Sequence, residues 1–451
     1  MKIEQFEDKG LAHFSYAILS ECAREIVLID PARNPQPYYD YAAANEAKIV
    51  RIIETHPHAD FVSSHLEIAQ TTGATICVSG LLGAEYAHEA FDEGQEFTVG
   101  KLTFRALNTP GHSPDSISVV LTREGRDVAV FTGDTLFIGD VGRPDLRENA
   151  GNLTARREEL ARQMYHSTRE KLMPLGAEVL VYPAHGAGSL CGKALSGASS
   201  STIGAEKASN YALQPMSEAE FVRELLADQP FIPKYFSYDV ALNKAGAPAY
   251  AAGVRQVPRL ATDTALESGV LVVDARPEVD FKRAHLAGAL NIQQGGKFET
   301  WLGSIVGPAE RFYLVATNEA QREELLEKAA KIGYEPLIAG ALVGSPAATA
   351  TLPQLDVAQF RARPESYTIV DIRNPAEAKA EPLFAGALNI PLPELRERVG
   401  EIPTDKPVVV HCAGGYRSAA GSSIVAPALP GTPVYDLGEA VKSFQPKQPA
   451  H

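Results

Sequence analysis

The sequence predicts a multidomain protein of the α/β and α+β classes, in which layered mixed sheets flanked by helices precede a duplicated α/β unit. Its 451 residues exceed what one hydrophobic core usually holds. Short apolar strand-like runs alternate with helical stretches before residue 190, and an internal repeat follows residue 250. We therefore predict domains at residues 1–248, 249–347 and 348–451.

Composition and charge exclude several classes of partner. The chain carries 42 basic and 56 acidic residues, a net charge of −14, which disfavours binding to nucleic acid or an anionic membrane. The N-terminus lacks a signal-peptide pattern and no apolar run reaches membrane-spanning length, so a cytoplasmic location is expected. Widely spaced cysteines without a CxxC pair fit a reducing compartment: Cys22, Cys77, Cys191 and Cys412.

The elements of the first domain follow from local patterns. A β-hairpin is predicted over residues 11–30, then a helix near Tyr38–Ala47, a strand at 48–53 and a helix at 62–72. A charged helical stretch is predicted at Leu153–Leu172, and further strands at Thr75–Val78, Phe97–Leu107, Ser116–Leu121, Val128–Phe131 and Val179–Tyr182. Weak patterning and flexible composition between residues 192 and 260 place the boundary near residue 250.

The repeat in the second half pairs residues 272–292 with residues 369–390, and each copy carries Asp-x-Arg followed by AGALNI. In the later copy the apolar strand Val408–Val410 leads into Cys412, whereas the earlier copy has Thr317 at that position. Two related domains, only one with a thiol, follow from this spacing.

A cluster of metal-binding side chains dominates the first domain. His56, His58 and Asp60 follow the strand at 48–53 in the motif Thr55–Phe61. Such groups are costly to desolvate unless they bind something, and a metal ion is the usual reason. Three more candidate metal-binding side chains follow strands or turns farther along the chain: His112, Asp134 and His185. Strand ends at one sheet edge converge, so the sequence predicts a metal site there.

These pieces, in this order, resemble the metallo-β-lactamase superfamily, whose motif HxHxDH is followed by single His, Asp and His residues. The resemblance covers residues 1 to about 245 and implies an αββα sandwich. Phe61 stands where the family usually has the third histidine of the motif. Because that position helps to hold the second metal in dinuclear members, the resemblance implies that only one metal binds here.

Persulfide dioxygenases in this superfamily hold a single iron with two histidines and one aspartate. Carried over by position, the ligands of one Fe(II) per chain are His56, His112 and Asp134. Two imidazoles and a carboxylate leave coordination positions open for a substrate and O₂. His58, Asp60 and His185 would then lie around the metal or beside the substrate, and His58 remains an alternative fourth ligand.

Two further residues near the expected cleft have open roles. Arg143 matches an arginine of the family's substrate cleft and would attract a persulfide anion, but a salt bridge with Asp145 is an equal alternative. Cys191 follows His185 in a glycine-flanked loop, where it is either a buried inert thiol or a persulfide carrier.

A second reactive centre is expected at Cys412. Backbone N–H groups of a six-residue loop, the helix that follows and Arg417 should stabilise a thiolate there. The loop resembles that of rhodanese sulfurtransferases over about residues 350–445, where six-residue loops go with sulfur transfer and longer ones with phosphatases. Residues 260–345 resemble a degenerate rhodanese domain. Between Cys412 and Arg417 the loop contains Ala413, Gly414, Gly415 and Tyr416.

The combined resemblance implies sulfide detoxification. Iron-dependent oxidation of a low-molecular-weight persulfide by O₂ would give sulfite, and sulfane sulfur carried on Cys412 would convert sulfite to thiosulfate. A homo-oligomer is expected, of unspecified size. The alternatives are a zinc-dependent, glyoxalase II-like thioester hydrolase with accessory rhodanese domains, and a C-terminal half that docks a sulfur-carrier protein. The sequence leaves open whether the persulfide is that of glutathione, coenzyme A or bacillithiol, and the direction of sulfur flow.

Overall fold

The computed structural model describes residues 1–146, 157–193, 195–344 and 349–445, which form two compact units. The first holds residues 1–253 with 330–333, and the second holds residues 254–329 and the chain from residue 334 onward. The predicted boundary after residue 248 lies five residues before the division at 253. The predicted boundary between residues 347 and 348 lies outside the described residues.

Two six-stranded sheets form the first unit. The first contains, in spatial order, β1 (Lys2–Asp8), β2 (His13–Ser20), β3 (Glu25–Ile29), β4 (Lys48–Ile53), β5 (Thr75–Val78) and β6 (Glu89–Ala90). The second contains β7 (Glu96–Val99), β8 (Leu102–Asn108), β9 (Ile117–Arg123), β10 (Arg126–Gly133), β11 (Leu180–Pro183) and β12 (Ser201–Thr202), again with sequence neighbours side by side.

The helices cover the outer faces of these sheets. They are α1 (Gln36–Ala44), α2 (His65–Thr72), α3 (Arg157–His166) continued by a π-helical turn (Ser167–Leu172), α4 (Ile203–Ser209), a 3-10 turn (Tyr211–Leu213), α5 (Glu218–Leu226), α6 (Phe236–Ala245) and α7 (Tyr250–Gln256), which crosses the division between the units. No described helix is long and apolar enough to cross a membrane.

Alternation along the strands explains the layering. In β9, Val119 and Leu121 pack into the core between the sheets, while Val120 packs against the helices on the outer face. In β2, Tyr16 and Ala17 divide in the same way. Both faces are therefore covered, which accounts for the nearly continuous apolar strands. The predicted αββα sandwich is confirmed.

Local differences from the predicted elements have simple causes. The predicted strand Phe97–Leu107 is two strands, β7 and β8, because Gly100 adopts a φ of +60° and turns the chain between them. The predicted helix at 62–72 begins at His65. Of the predicted helix Leu153–Leu172, residues 157–172 are helical and residues 153–156 lie outside the described residues.

The second unit contains two parallel sheets. The first is β13 (Leu271–Asp274), β14 (Phe312–Ala316) and β15 (Ile338–Val343). The second contains β16 (Thr368–Asp371), β17 (Leu388–Asn389), β18 (Val408–His411) and β19 (Val434–Asp436), in the spatial order 17-16-18-19. The helices are α8 (Glu278–Arg283), α9 (Phe298–Ile305), α10 (Glu319–Lys331), α11 (Val357–Ala362), α12 (Pro375–Ala380), α13 (Leu395–Arg398) and α14 (Tyr416–Ala428), with 3-10 turns at Glu335–Leu337, Pro364–Ser366, Leu392–Glu394, Val399–Glu401 and Gly438–Phe444.

The residues shared by the two repeats build the same local scaffold. Arg276 Nη2 donates to Asp274 at 2.6 Å, and Arg373 donates to Asp371 at the same distance. In the later copy the Asn389 side chain donates to the carbonyl oxygens of Asp371 and Arg373, both at 2.9 Å. These buried polar groups fix the chain after the first strand of each copy. The repeated motif is therefore structural.

Candidate metal centre and sulfur-transfer loop

The ends of two strands and one turn bring the predicted metal ligands together. His56 follows β4, His112 lies on the turn between β8 and β9, and Asp134 follows β10. The Ile117 N–H donates to the Thr55 carbonyl at 2.9 Å, which joins two of these segments across the two sheets. Side chains that are far apart in the sequence therefore meet at one edge of the sandwich.

The three predicted ligands face a common point. The Nε2 atoms of His56 and His112 lie 3.7 and 3.5 Å from Oδ2 of Asp134. All three residues are buried, and neither His56 Nε2 nor Asp134 Oδ2 has a hydrogen-bond partner among the described residues. Buried polar atoms without partners are costly, and a cation would satisfy them. The arrangement therefore fits a metal ion held by these residues.

Contacts behind the two imidazoles set their orientation. His112 Nδ1 lies 2.9 Å from the Arg143 carbonyl oxygen. His56 Nδ1 lies 3.1 Å from Oγ1 of Thr55, whose hydroxyl itself donates to Asp30 at 2.8 Å. In both cases Nδ1 carries the proton, so Nε2 presents its lone pair to the site. Burial lowers the pKa of both imidazoles, which keeps them neutral.

Asp134 is also held by a carboxylate–imidazole–carboxylate chain. Its Oδ1 accepts a hydrogen bond from His185 Nδ1 at 2.7 Å, and His185 Nε2 lies 2.8 Å from Asp60 Oδ2. Burial lowers the pKa of His185, but the charges of Asp134 and Asp60 outweigh it and raise the pKa well above its usual value. His185 and Asp60 thus lie beside the ligand trio, in the place expected from the sequence.

Phe61 occupies the space next to these groups. Its buried ring lies 3.9 Å from the His13 ring and 4.4 Å from the His58 ring, centroid to centroid. His58 Nε2 lies 3.2 Å from Asp30, so His58 faces this carboxylate and stands outside the trio of predicted ligands. His13 was missed from the sequence. The feature that could have indicated it is its place at the start of an apolar strand, all eight residues of which are buried in the structure.

Arg143 is fully engaged within the protein. Nε and Nη2 donate to the two carboxylate oxygens of Asp145, each at 2.7 Å. Its remaining N–H groups donate to the carbonyl oxygens of Leu190, Pro230 and Phe231, so all five donors are used. The expectation that this guanidinium attracts a persulfide anion is therefore corrected, because the structure contains the alternative salt bridge. Among the described residues, Arg143 contacts a predicted ligand through its backbone carbonyl, which faces His112.

Cys191 lies against the metal-binding residues. Its Sγ and ligand atoms of Asp134 and His185 are all within 4.8 Å of one another. Burial, with the charges of Asp60 and Asp134, raises the pKa of the Cys191 thiol well above its usual value. A sulfur carrier acts as a thiolate, so this environment weighs against a carrier role. The carrier interpretation stays a prediction.

The Cys412 loop connects β18 with α14. The N–H of Gly415 donates to Cys412 Sγ at 3.1 Å, as expected for a loop that stabilises a thiolate. Gly415 adopts a φ of +101°, and a Cβ there would lie 2.6 Å from the Glu439 nitrogen, so the turn requires glycine. Arg417 makes a two-point ion pair with Glu377, both contacts at 2.8 Å.

A cleft of about 350 Å³ opens in front of Cys412. The loop supplies Gly414, Tyr416 and Arg417 to its lining. The earlier repeat supplies residues 294–297 and Trp301, whose ring centroid lies 5.7 Å from the Arg417 guanidinium. The thiol thus lines a site built from both repeats. The sequence did not reveal this second wall, because residues 294–301 carry no reactive motif.

Comparison with known proteins identifies relatives of both parts. The family model described as the metallo-beta-lactamase superfamily matches residues 10–185, and the rhodanese-like domain model matches residues 356–446. A crystal structure described as a metallo-beta-lactamase from Staphylococcus aureus subsp. aureus COL is 31% identical, with a TM-score of 0.68. The match covers 76% of this chain and 99% of that one.

Two curated relatives differ in their named activities. The human persulfide dioxygenase ETHE1 is 31% identical over 175 residues, and the cytoplasmic hydroxyacylglutathione hydrolase of Arabidopsis thaliana is 31% identical over 176 residues. Each alignment covers 38% of this chain. The chain spans 63% of the length of each relative, slightly less than two thirds.

Proposed function

Because the chain belongs to the metallo-beta-lactamase superfamily and carries a rhodanese-like domain, we propose that it is a persulfide dioxygenase coupled to a sulfurtransferase. The first centre oxidises a low-molecular-weight persulfide with O₂ at one iron ion, giving sulfite and the thiol. The second transfers sulfane sulfur through Cys412 to sulfite and forms thiosulfate. The named activity of the human relative supports the first step.

The observation that carries this proposal is the trio of His56, His112 and Asp134 beside Phe61. Two imidazoles and one carboxylate suit Fe(II), and Phe61 offers no donor atom at the motif position where the family usually has a histidine. When bound, the iron supplies a site at which a persulfide and O₂ can meet. Zinc hydrolases of this superfamily commonly use two metals, for which Phe61 offers no donor atom.

The surrounding residues have separate roles in the first reaction. His185 and Asp60 hold the Asp134 carboxylate in one orientation, with Nδ1 of the His185 imidazole facing Asp134 and Nε2 facing Asp60. The Phe61 and His13 rings pack against each other beside the site, with their centroids 3.9 Å apart. The reaction consumes RSSH, O₂ and H₂O and releases RSH, sulfite and two protons, which balances atoms and charge.

Cys412 performs the second reaction by exchange of sulfur. Its thiolate takes the terminal sulfur of a persulfide, and the donor leaves as a thiol. Sulfite then attacks the terminal sulfur of the Cys412 persulfide, the S–S bond breaks, and its electron pair returns to Sγ. The Gly415 N–H, 3.1 Å from Sγ, stabilises the returning negative charge.

A zinc-dependent thioester hydrolase is the second candidate, favoured by the match to the Arabidopsis hydrolase. The histidines and aspartates of the site would serve zinc as well as iron. Phe61 is the observation against it, since its ring offers no donor atom at the motif position where the family usually has a third histidine. The two candidates differ in what they consume, because only the dioxygenase uses O₂.

Oxygen uptake distinguishes these functions. With the persulfides of glutathione, coenzyme A and bacillithiol supplied in turn, we expect uptake of one O₂ per persulfide with at least one of them, together with sulfite or thiosulfate. Turnover on the order of 1–1,000 per second is expected for an enzyme on its own substrate. An oxygen electrode and ion chromatography provide the measurement. Hydrolysis of S-lactoylglutathione without oxygen uptake would support the hydrolase instead.

A further inference from the structure

We propose that Asn243 is a positioning residue for the metal centre, which it supports by holding the loop of residues 58–63 that follows the predicted ligand His56. The inference rests on the proposed metal site and deepens it. It also gives a role to a helix between residues 192 and 260, a stretch in which the sequence carries only weak patterns.

The side chain of Asn243 is buried against this loop and lies on α6. Its Nδ2 donates to the carbonyl oxygens of His58 and Phe61, each at 2.8 Å. Its Oδ1 accepts the N–H of Ser63, also at 2.8 Å. A carboxamide offers two N–H donors and one acceptor oxygen, so the loop engages every polar group of this side chain.

The residue that precedes α6 contacts the same loop. The hydroxyl of Tyr235, which is also buried, donates to the Asp60 carbonyl oxygen at 3.4 Å, a longer and weaker bond than those of Asn243. The carbonyl oxygens of His58, Asp60 and Phe61 are therefore all bound by side chains from one short stretch of chain.

A further segment of the first unit, residues 330–333, holds the loop at Val62. The Val62 N–H donates to the Lys331 carbonyl oxygen at 2.8 Å. The Tyr238 hydroxyl, on α6, donates to the Gly333 carbonyl oxygen at 3.2 Å, and a Cβ on Gly333 would lie 3.2 Å from Val62 Cγ2. The loop, α6 and this segment therefore form one closely packed group.

The position of the loop matters to the metal centre because the loop carries Asp60. The carbonyl groups that Asn243 binds lie on both sides of Asp60 in the sequence. Asp60 Oδ2 lies 2.8 Å from His185 Nε2, and His185 Nδ1 lies 2.7 Å from Oδ1 of the ligand Asp134. Such outer contacts orient metal ligands, so a shift of the loop would change the orientation of Asp134.

Loss of the Asn243 side chain would leave two carbonyl oxygens and one N–H of the loop without their partner. Buried polar groups without partners are costly, so the loop would move toward water or other partners. The consequence reaches Asp134 through Asp60 and His185. Metal affinity should therefore depend on Asn243, in addition to the stability of the fold.

The test uses the full-length protein loaded with Fe(II) and titrated, without oxygen, with a chelator that changes colour when it binds Fe(II). For Asn243→Ala we expect the dissociation constant for Fe(II) to rise about 10–100-fold, the range for loss of a residue that supports a metal ligand. Asn291→Ala is the matched control, because the Asn291 amide also donates to two carbonyl oxygens, those of Asp274 and Arg276, both at 2.9 Å. Asn291 lies in the second unit, so this constant should stay within about twofold of the parent value.

Replacement of the iron by Co(II) gives a second readout, the visible absorption spectrum, which reports the geometry of the ligands. Asn243→Ala should shift this spectrum, and Asn291→Ala should leave it unchanged. A role in folding alone would lower the unfolding temperature of Asn243→Ala while the dissociation constant and the Co(II) spectrum stay at the parent values. That result would overturn the proposal.

Tyr235→Phe tests the same loop if Asn243→Ala does not fold. It removes one hydroxyl and keeps the aromatic ring. We expect the dissociation constant for Fe(II) to rise about threefold or more, as for loss of one neutral hydrogen bond, with a shift of the Co(II) spectrum. Parent values of both would overturn the proposal.

These readouts do not depend on oxygen chemistry. A parent protein that binds Fe(II) but consumes no oxygen with any persulfide would contradict the proposed dioxygenase, while the constants of the variants would still decide the role of Asn243. A parent protein that binds neither Fe(II) nor Co(II) would overturn both.

Discussion

Cys412→Ser is expected to stop thiosulfate formation while oxygen uptake continues, so that sulfite accumulates in its place. A serine hydroxyl remains protonated and cannot carry sulfane sulfur, so transfer should fall by about three orders of magnitude or more. The metal-binding residues lie in the other unit and are unchanged. Oxygen uptake per persulfide should therefore remain within about twofold of the parent value.

Cys22→Ser is the matched control for this experiment. Cys22 is the exposed cysteine of the first unit, and its replacement should leave both sulfite and thiosulfate production unchanged. Products are measured by ion chromatography while oxygen is recorded. If Cys412→Ser still made thiosulfate at the parent rate, sulfite would be consumed by another route and the coupling of the two centres would be disproved.

Asp134→Ala is expected to remove the iron and with it the oxygen uptake. The substitution deletes the charged ligand and leaves His185 and Asp60 without the carboxylate that they orient. Loss of a residue that supports a metal ligand costs about 10–100-fold in metal affinity, so loss of the ligand itself should cost more. Sulfur transfer from thiosulfate to cyanide at Cys412 should persist, which reports that the second unit is folded.

Asp60→Asn gives a graded comparison. It keeps the trio of His56, His112 and Asp134 and changes only the partner of His185 Nε2. Iron should therefore remain bound, with oxygen uptake reduced by about 10–100-fold at most. Iron is measured by mass spectrometry of the purified variants. If Asp134→Ala retained a full complement of iron and parent oxygen uptake, the ligand assignment would be incorrect.

The fold followed from the sequence where local pattern and burial agree. The predicted strand at 48–53 is β4 without change, because Ile49, Val50, Ile52 and Ile53 make it a largely apolar run that ends at the Thr55–Phe61 motif. The fusion of a metallo-β-lactamase domain with a rhodanese-like domain is confirmed by the two family matches. The assignment of residues 249–347 as a second rhodanese-like domain stays a prediction.

The parts of the site that escaped prediction depend on contacts between distant segments. Arg143 donates to the carbonyl oxygens of Leu190, Pro230 and Phe231. These residues are distant in the sequence, so no local sequence pattern predicts that the guanidinium is buried among them. His13 opens β2 and Phe61 follows β4, two strands that β3 separates in the sheet, so their ring contact is visible only in the folded protein. The metal trio was predictable because each member follows a strand or a turn. The contacts that orient its two imidazoles, from the Arg143 carbonyl and the Thr55 hydroxyl, were not.

The repeat separates scaffold from chemistry. Residues that both copies share, such as Asp371 and Arg373, hold the chain after the first strand. The position at which the copies differ has Thr317 in one and Cys412, the proposed nucleophile, in the other. The residues that the copies share therefore indicated the fold, and the position at which they differ indicated the proposed function.

The central claim is that the protein binds one iron ion, because Phe61 cannot act as a metal ligand. The metal content of the purified protein tests this claim most directly. Protein produced in a medium without added metal should contain close to one iron per chain and little zinc, with oxygen uptake proportional to iron. This is measured by inductively coupled plasma mass spectrometry on the full chain. Two zinc ions per chain, with thioester hydrolysis and no oxygen uptake, would contradict the account.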